Sequence, residues 1–229
     1  MPGRPREAPA LTPAGLVFII DKVGAIVYED VTGDRPDVKR GGRLTRERAR
    51  AMAKKTMAPT DYFADVMKVL TSRGLLVGSF DAHGKANLMT IGWGVLGEVW
   101  GKPLWVVLVR PSRYTYKCIE STGCFTVNVP SARMEEACNV CGTQSGRTID
   151  KFAVCRLTAE LAGTVRAPAV AECPIVYECK VVHSSDVLSE RLAPEIIEGA
   201  YAGGDFHRVY WGEILAARAE PDAARLLGP

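Results

Sequence analysis

The sequence predicts a mainly β protein, an antiparallel β-barrel with peripheral helices, on three observations. Six or so apolar, strand-like runs follow one another from Gly74 onward, with short Gly-, Asp- and Pro-containing turns between them. Only two or three helical stretches interrupt them, without the regular β-α-β alternation that builds a parallel sheet. The 229 residues are 47% hydrophobic and 24% charged, with a mean hydropathy of +0.02, which is enough apolar material for a substantial core.

The elements can be justified in order. Asp61 is placed to cap a short helix running to Leu70. GLLVGSF (Gly74 to Phe80) reads as a strand and Asp81-Ala82-His83-Gly84 as the turn after it. Ala86 to Val95 (ANLMTIGWGV) reads as the next strand, yet Asn87, Thr90 and Trp93 recur in it at three-residue intervals. Two-residue alternation would send neighbours in that series to opposite faces, so either the strand bends or these groups face something other than the core. Gly101-Lys102-Pro103 is a second turn, and LWVVLV (Leu104 to Val109) a continuous apolar run expected to be buried on both faces. Ser112 is an N-cap candidate for a helix from Arg113 to Ser121, closed by Gly123. CFTVNV (Cys124 to Val129) alternates as a strand. Ser131 caps the next helix, whose early Glu135 and Glu136 suit the positive end of its dipole. Pro174 precedes a strand from Ile175 to Val182, and HRVYWGEILA (His207 to Ala216) is the last strong one.

Composition shifts near residue 57. Residues 1–57 hold 12 Lys/Arg against 7 Asp/Glu, a balance of +5, and the remainder holds 17 against 19, a balance of −2. The basic run Arg40 to Thr56 lacks a clear apolar face and any aromatic or Gly-rich readout element. A solvated basic helix or frayed extension is therefore preferred over contact with nucleic acid or a membrane. Residues 1–57 are expected to form a weakly ordered N-terminal extension, outside the native product if Met57 is the true start, and 58–229 a single functional domain. GLVFII (Gly15 to Ile20) is ended by Asp21-Lys22 too soon for a membrane span or a signal h-region. With seven cysteines, an odd count, and no leader ahead of them, the expected compartment is the cytoplasm with reduced thiols. Cys138 and Cys141 have C-x-x-C spacing, but only Cys155 lies near as a third ligand and no paired His follows, so no metal is expected.

Four segments place polar groups at strand or loop positions: Asn87 to Trp93, Arg110 to Thr115, Ser145 to Phe152, and Asp205 to Arg208. In the second, a helix N-terminus with the hydroxyls of Ser112 and Thr115 and the guanidinium of Arg113 has the makings of a phosphate cradle. The alternative, a simple cap and a solvated arginine, is equally open on that segment alone. No G-x-G-x-x-G or GxxxxGK[ST] motif is present, so any nucleotide is held another way. Among the three histidines, His207 follows a Gly-Gly-Asp turn and opens a strand, the best position of the three to meet a ligand. The absence of G-x-S-x-G and of any Ser-His-Asp or Cys-His arrangement disfavours covalent hydrolysis.

Taken in order, GKANLMTIGW (Gly84 to Trp93), RPSRYTYKCIESTGCFTVNVP (Arg110 to Pro130), CGTQSGRTIDKF (Cys141 to Phe152) and GDFHRVYWGEI (Gly204 to Ile214) resemble the flavin reductase-like family, in its flavoredoxin-like branch, over about residues 60–217. The resemblance implies an FMN-binding split β-barrel, usually a homodimer, that takes hydride from NADH or NADPH. Electrons would pass to an accepting protein or to a partner monooxygenase. It implies that Asn87, Thr90 and Trp93 line the isoalloxazine or ribityl chain, with backbone groups of Met89 and Thr90 at the ring's polar edge. It likewise assigns Ser112, Arg113 and Thr115 to the phosphate, and Ser145 and Lys151 of the SGR-x-x-DK pattern to the flavin's surroundings. Lys151 would stabilise charge along N1–C2=O of the reduced ring, and His207 would position the nicotinamide or flank the ring. Two departures stand out: Phe206 separates Gly-Asp from His207, and Ser184 to Gly203 is longer than usual for the family. An electron-transfer flavoprotein reduced by another protein, or a non-catalytic FMN-binding module, are the alternative readings.

Overall fold

A computed structural model describes residues 53–228 in full and, of the chain before them, the backbone of two strands. The chain divides into two compact units, Met1–Thr45 and Arg46–Pro229. In the first, β1 (Leu16–Ile20) and β2 (Ile26–Asp30) form an antiparallel hairpin in which Leu16 pairs with Asp30 and Ile20 with Ile26. Most of the basic run lies outside the described residues.

The second unit begins before residue 57, where composition alone sets the boundary. Lys55–Thr56 form a short strand, β3, against Arg218 and Ala219. Lys54 Nζ donates to Ala171 O, and Met57 packs against the main core. An eight-stranded sheet follows, built from β3 with β4 (Leu75–Phe80), β5 (Ala86–Ile91), β6 (Gly94–Val99), β7 (Lys102–Val109), β8 (Cys124–Val129), β11 (Ile175–Asp186) and β12 (Arg208–Ala219). Its order is β5-β4-β8-β11-β12-β7-β6, with β3 beside β12, and every pairing is antiparallel. The hairpin of β9 (Ala159–Leu161) and β10 (Pro168–Val170) stands apart. Met89 and Ile91 of β5 and Leu96 of β6, from opposite ends of that order, belong to one core cluster with Val77, Trp105, Phe125, Tyr177 and Ile214. The sheet thus curls round a shared interior, the split-barrel arrangement expected.

Helices α1 (Phe63–Ser72), α2 (Tyr114–Thr122), α3 (Glu135–Thr143), α4 (Lys151–Cys155), α5 (Pro194–Ala200) and α6 (Ala223–Leu227) lie around it. A second apolar cluster, including Leu76, Leu88, Cys138, Cys141, Phe152 and Val170, fills the space between the other face of β4–β5 and α3–α4. Burial differs from the sequence reading in two strands. All six residues of β8 are buried, because both faces of that strand are covered. In β7, Val106 and Leu108 are only half-buried while Leu104, Trp105, Val107 and Val109 are buried, so the apolar run does not have two equally covered faces.

Two caps also differ from expectation. Asp61 Oδ2 accepts from Ala58 N in the turn before α1, whose N-cap is Tyr62. The N-cap of α2 is Arg113, and the Ser112 hydroxyl is turned outward to Asp205. Gly123 closes α2 at φ 65 as expected. The Ala86–Val95 run does bend: β5 ends at Ile91, Gly92–Trp93 makes a corner, and β6 starts at Gly94.

Candidate functional site

Two adjoining chambers share Met89, Arg113 and Gly142 in their walls. The first, about 240 Å³, is lined by the β5–β6 corner from Thr90 to Trp93 together with Leu108, Arg110 and His207. The second, about 120 Å³, lies between Ser112–Thr115 at the start of α2 and the α3–α4 connection, with Ser145, Arg147 and Lys151. Arg113, Arg147 and Lys151 all line it, and no carboxylate does.

In the first chamber the corner leaves Trp93 48% exposed, its ring centroid 5.3 Å from that of His207. His207 Nδ1 lies 2.7 Å from the Tyr201 hydroxyl. Burial, reinforced by Arg110 and against the opposing pull of Asp205, pushes the imidazole down from 6.5 to about 4. The stability tied to this neutral ring is therefore complete above 6.5 and lost as pH falls towards 4. A proton-NMR titration of the folded protein should place the His207 midpoint near 4, and a midpoint near 6.5 would contradict the buried geometry. The rim is held by Arg110, which donates to the carbonyls of Ala200, Gly204 and Asp205 at 2.7, 3.2 and 3.0 Å. Its guanidinium lies 5.1 Å from the Tyr201 ring, and Phe206 stacks on Tyr201 at 4.7 Å. Phe206, the extra residue before His207, thus packs into the rim.

In the second chamber the polar groups are tied to one another. Asn87 Nδ2 donates to Thr115 Oγ1 at 2.8 Å, both residues being buried. A Cβ on Gly146 would stand 2.0 Å from Asn87 Oδ1, so only glycine lets this loop approach so closely. Arg147 Nη1 donates to Ser112 O at 3.0 Å and its guanidinium lies 5.3 Å from the Tyr114 ring. Tyr114 Oη in turn donates to Asp81. Lys151 is 5% exposed, and Nζ donates to Leu88 O and Cys141 O, each at 2.7 Å. Burial lowers its pKa.

The structure brings Met89, Thr90, Trp93 and His207 together at the first chamber, and Met89, Ser112, Arg113, Thr115, Ser145 and Lys151 at the second. Lys151 and His207, given separate roles above, stand in different chambers. Asn87 itself lines neither chamber: it is buried behind the second, with Nδ2 on Thr115 Oγ1. The Thr90 hydroxyl donates to Cys138 O. Tyr201, six residues before His207, lies just outside the four marked segments. Arg110 and Arg147 lay within marked segments, but their partners are non-local. Burial pushes the Cys138 and Cys141 thiols up to about 11 and about 12. Among the described residues no group of three or more His, Cys, Asp or Glu is placed to hold a metal, and no helix is long and apolar enough to cross a membrane.

The antiparallel split barrel is the fold this chain shares with flavin reductase-like proteins. Residues 67–227 match the family model described as Flavin reductase like domain, and the chain belongs to that family of flavin-dependent oxidoreductases. Among solved structures it is similar to the flavoredoxin of Desulfovibrio vulgaris (Miyazaki F), with 27% identity, 65% of this chain and 69% of that one covered, and a TM-score of 0.53. It is similar to the flavoredoxin from Methanosarcina acetivorans at 30% identity, covering 65% and 68%, with a TM-score of 0.52. An NADH:FAD oxidoreductase of Streptomyces globisporus C-1027, 16% identical with 82% and 89% covered and a TM-score of 0.50, shares the fold. No curated protein matches the chain.

Proposed function

We propose that the protein binds FMN across the two chambers and acts as an NAD(P)H-dependent flavin oxidoreductase that delivers electrons to a further acceptor. One observation carries this reading. A chamber rimmed by Trp93 and His207 joins, at Met89, Arg113 and Gly142, a smaller one lined by three cations and no acid. That pairing suits a ligand with a flat aromatic ring at one end and a phosphate at the other. Bound there, the flavin supplies hydride and electron transfer through its ring, with NADH or NADPH as donor.

The chain's own residues bind and orient. Ser112, Arg113 and Thr115 take the phosphate, with Ser145 beside them. Met89 and the Thr90 backbone meet the ring edge. Lys151 has given two of its three protons to carbonyls, and the third is left to support negative charge on the ligand. His207, uncharged at neutral pH, positions the nicotinamide against the ring with Trp93 at its side. Asn87 acts by holding Thr115 and Gly146. Asn87→Ala should therefore weaken FMN by about 1 kcal/mol more than riboflavin, measured by fluorescence titration of both. Equal weakening would return Asn87 to the ring.

A second copy of the chain covers the exposed apolar side chains at and beside β6, Trp93, Val95, Val99 and Trp100, giving a homodimer. Sedimentation or light scattering tests this, and a monomer at micromolar concentration would refute it. The cytoplasm is the proposed location, in keeping with seven unpaired cysteines. The acceptor is a protein partner or a monooxygenase that uses reduced flavin.

The test is direct. Purified protein should be yellow, and anaerobic NADH or NADPH should bleach its flavin band. Bleaching by dithionite alone would favour an electron carrier reduced by a protein, the reading that similarity to two flavoredoxins supports. Colourless protein without affinity for FMN would overturn both.

A further inference from the structure

Ser112 is the one phosphate-chamber residue whose side chain and backbone N–H both face an acid of this same chain. Asp205 Oδ2 accepts from Ser112 Oγ at 2.5 Å, and Oδ1 accepts from Ser112 N at 3.3 Å. Ser112 precedes Arg113, the N-cap of the nine-residue helix α2, so the carboxylate sits where the helix dipole favours an anion. Arg113 and Arg147 line the same chamber, and Arg147 itself bonds Ser112 O. Asp205 is exposed and lines neither chamber, which leaves its side chain free to swing away into solvent.

Its backbone is unusual as well. Asp205 has φ 55 directly after Gly204 at φ 74, a left-handed pair that glycine adopts freely and aspartate adopts at a modest cost. Arg110 holds this stretch by the carbonyls of Gly204 and Asp205, and the Ser112 contact holds its side chain. Two residues further on, His207 lines the first chamber.

We propose that Asp205 is a carboxylate latch that competes with the flavin phosphate for the Ser112 donors and thereby sets how strongly the site prefers a phosphorylated flavin. The inference rests on the phosphate assignment made above. A phosphate brings about two negative charges and three acceptor oxygens and displaces a single carboxylate. Riboflavin carries no such group and leaves Asp205 on Ser112. Displacement also frees the side-chain tether of the stretch leading to His207, so the phosphate end and the ring end of the site are coupled through residues 204–207.

The experiment is a fluorescence or calorimetric titration of full-length wild type, Asp205→Asn, Ser112→Ala and the double variant, with FMN and with riboflavin at fixed ionic strength. Asparagine is nearly isosteric and tolerates the left-handed backbone, so the fold should be kept. Asp205→Gly, which removes both the carboxylate and the strain, serves as a second variant should the first melt early. The expected result is roughly tenfold tighter FMN in Asp205→Asn, with riboflavin moved by less than about twofold, and the gain abolished in the double variant. If Ser112→Ala weakens FMN selectively while neither Asp205 variant tightens it, the latch is wrong and the phosphate assignment stands. If Ser112→Ala leaves FMN untouched, the phosphate lies elsewhere and the latch falls with it.

Discussion

Replacing Arg113 with alanine should weaken FMN by roughly 10- to 50-fold while moving riboflavin by no more than about threefold. Arg113 is the only cation in the walls of both chambers, since Arg110 belongs to the first and Arg147 and Lys151 to the second. It also stands at the N-cap of α2, where its charge adds to the helix dipole. Lys151 has committed two protons to carbonyls and Arg147 one to Ser112 O. Among the described residues no side-chain bond from Arg113 competes with a ligand in the same way. A charge-assisted contact is worth about 1.5–3 kcal/mol, and because Arg113 is exposed the lower half of that range is expected. The FMN-to-riboflavin ratio should also shrink as salt rises, since only the phosphate contact is screened. Equal weakening of the two flavins by Arg113→Ala would place the phosphate away from α2.

Periodicity made much of the fold legible, and covering made the rest invisible. The strands β4, β7, β8, β11 and β12 fall within a few residues of where apolar runs and turn residues place them, because both signals are local. Whether a run is covered on one face or two is not local. Cys124–Val129 alternates in sequence yet is buried throughout, because Phe125, Val127 and Val129 face the main core and Cys124, Thr126 and Asn128 are covered by the β9–β10 hairpin. The β9 and β10 strands, three residues each, carry too little pattern to be seen. The site divides in the same way. Ser112, Arg113, Thr115, Ser145 and Lys151 stand in motifs and do converge on one chamber. The way each is used was hidden: Ser112 faces Asp205, 93 residues away, and Lys151 bonds Leu88, 63 residues away. The spacing of Asn87, Thr90 and Trp93 did foretell a bend. Their side chains have different neighbours: Asn87 bonds Thr115 of α2, Thr90 bonds Cys138 O of α3, and Thr90 and Trp93 both line the first chamber.

The scaffold should answer to a different substitution. Glu178→Ala is expected to lower unfolding free energy by about 3 kcal/mol at neutral pH, near the bottom of the range for breaking a buried ion pair. Glu178, on β11, is 1% exposed. Its Oε2 accepts from Thr164 N at 2.6 Å and from Thr164 Oγ1 at 2.7 Å, and its Oε1 accepts from Arg218 Nη2 at 2.7 Å. One carboxylate thus joins the β9–β10 loop to β11 and β12. Removing it strands the Thr164 donors and the charge of Arg218, but the Arg218 side chain is 32% exposed and water recovers part of the loss. Burial pushes the Glu178 carboxyl up, but the Thr164 hydroxyl and N–H, the Gly163 N–H and Arg218 together hold it below its ordinary 4.5. A depressed carboxylate contributes its stability above 4.5 and loses it as pH falls through the folded value. Denaturant melts of wild type and Glu178→Ala should therefore differ most at neutral pH and converge as the solution is acidified below 4.5. Because Glu178 lines neither chamber, the FMN-to-riboflavin ratio of the variant should match wild type below its melting range. A difference under about 1 kcal/mol at neutral pH would show that the pair merely offsets its own desolvation. A difference that persists undiminished in acid would assign the loss to packing rather than to the carboxylate.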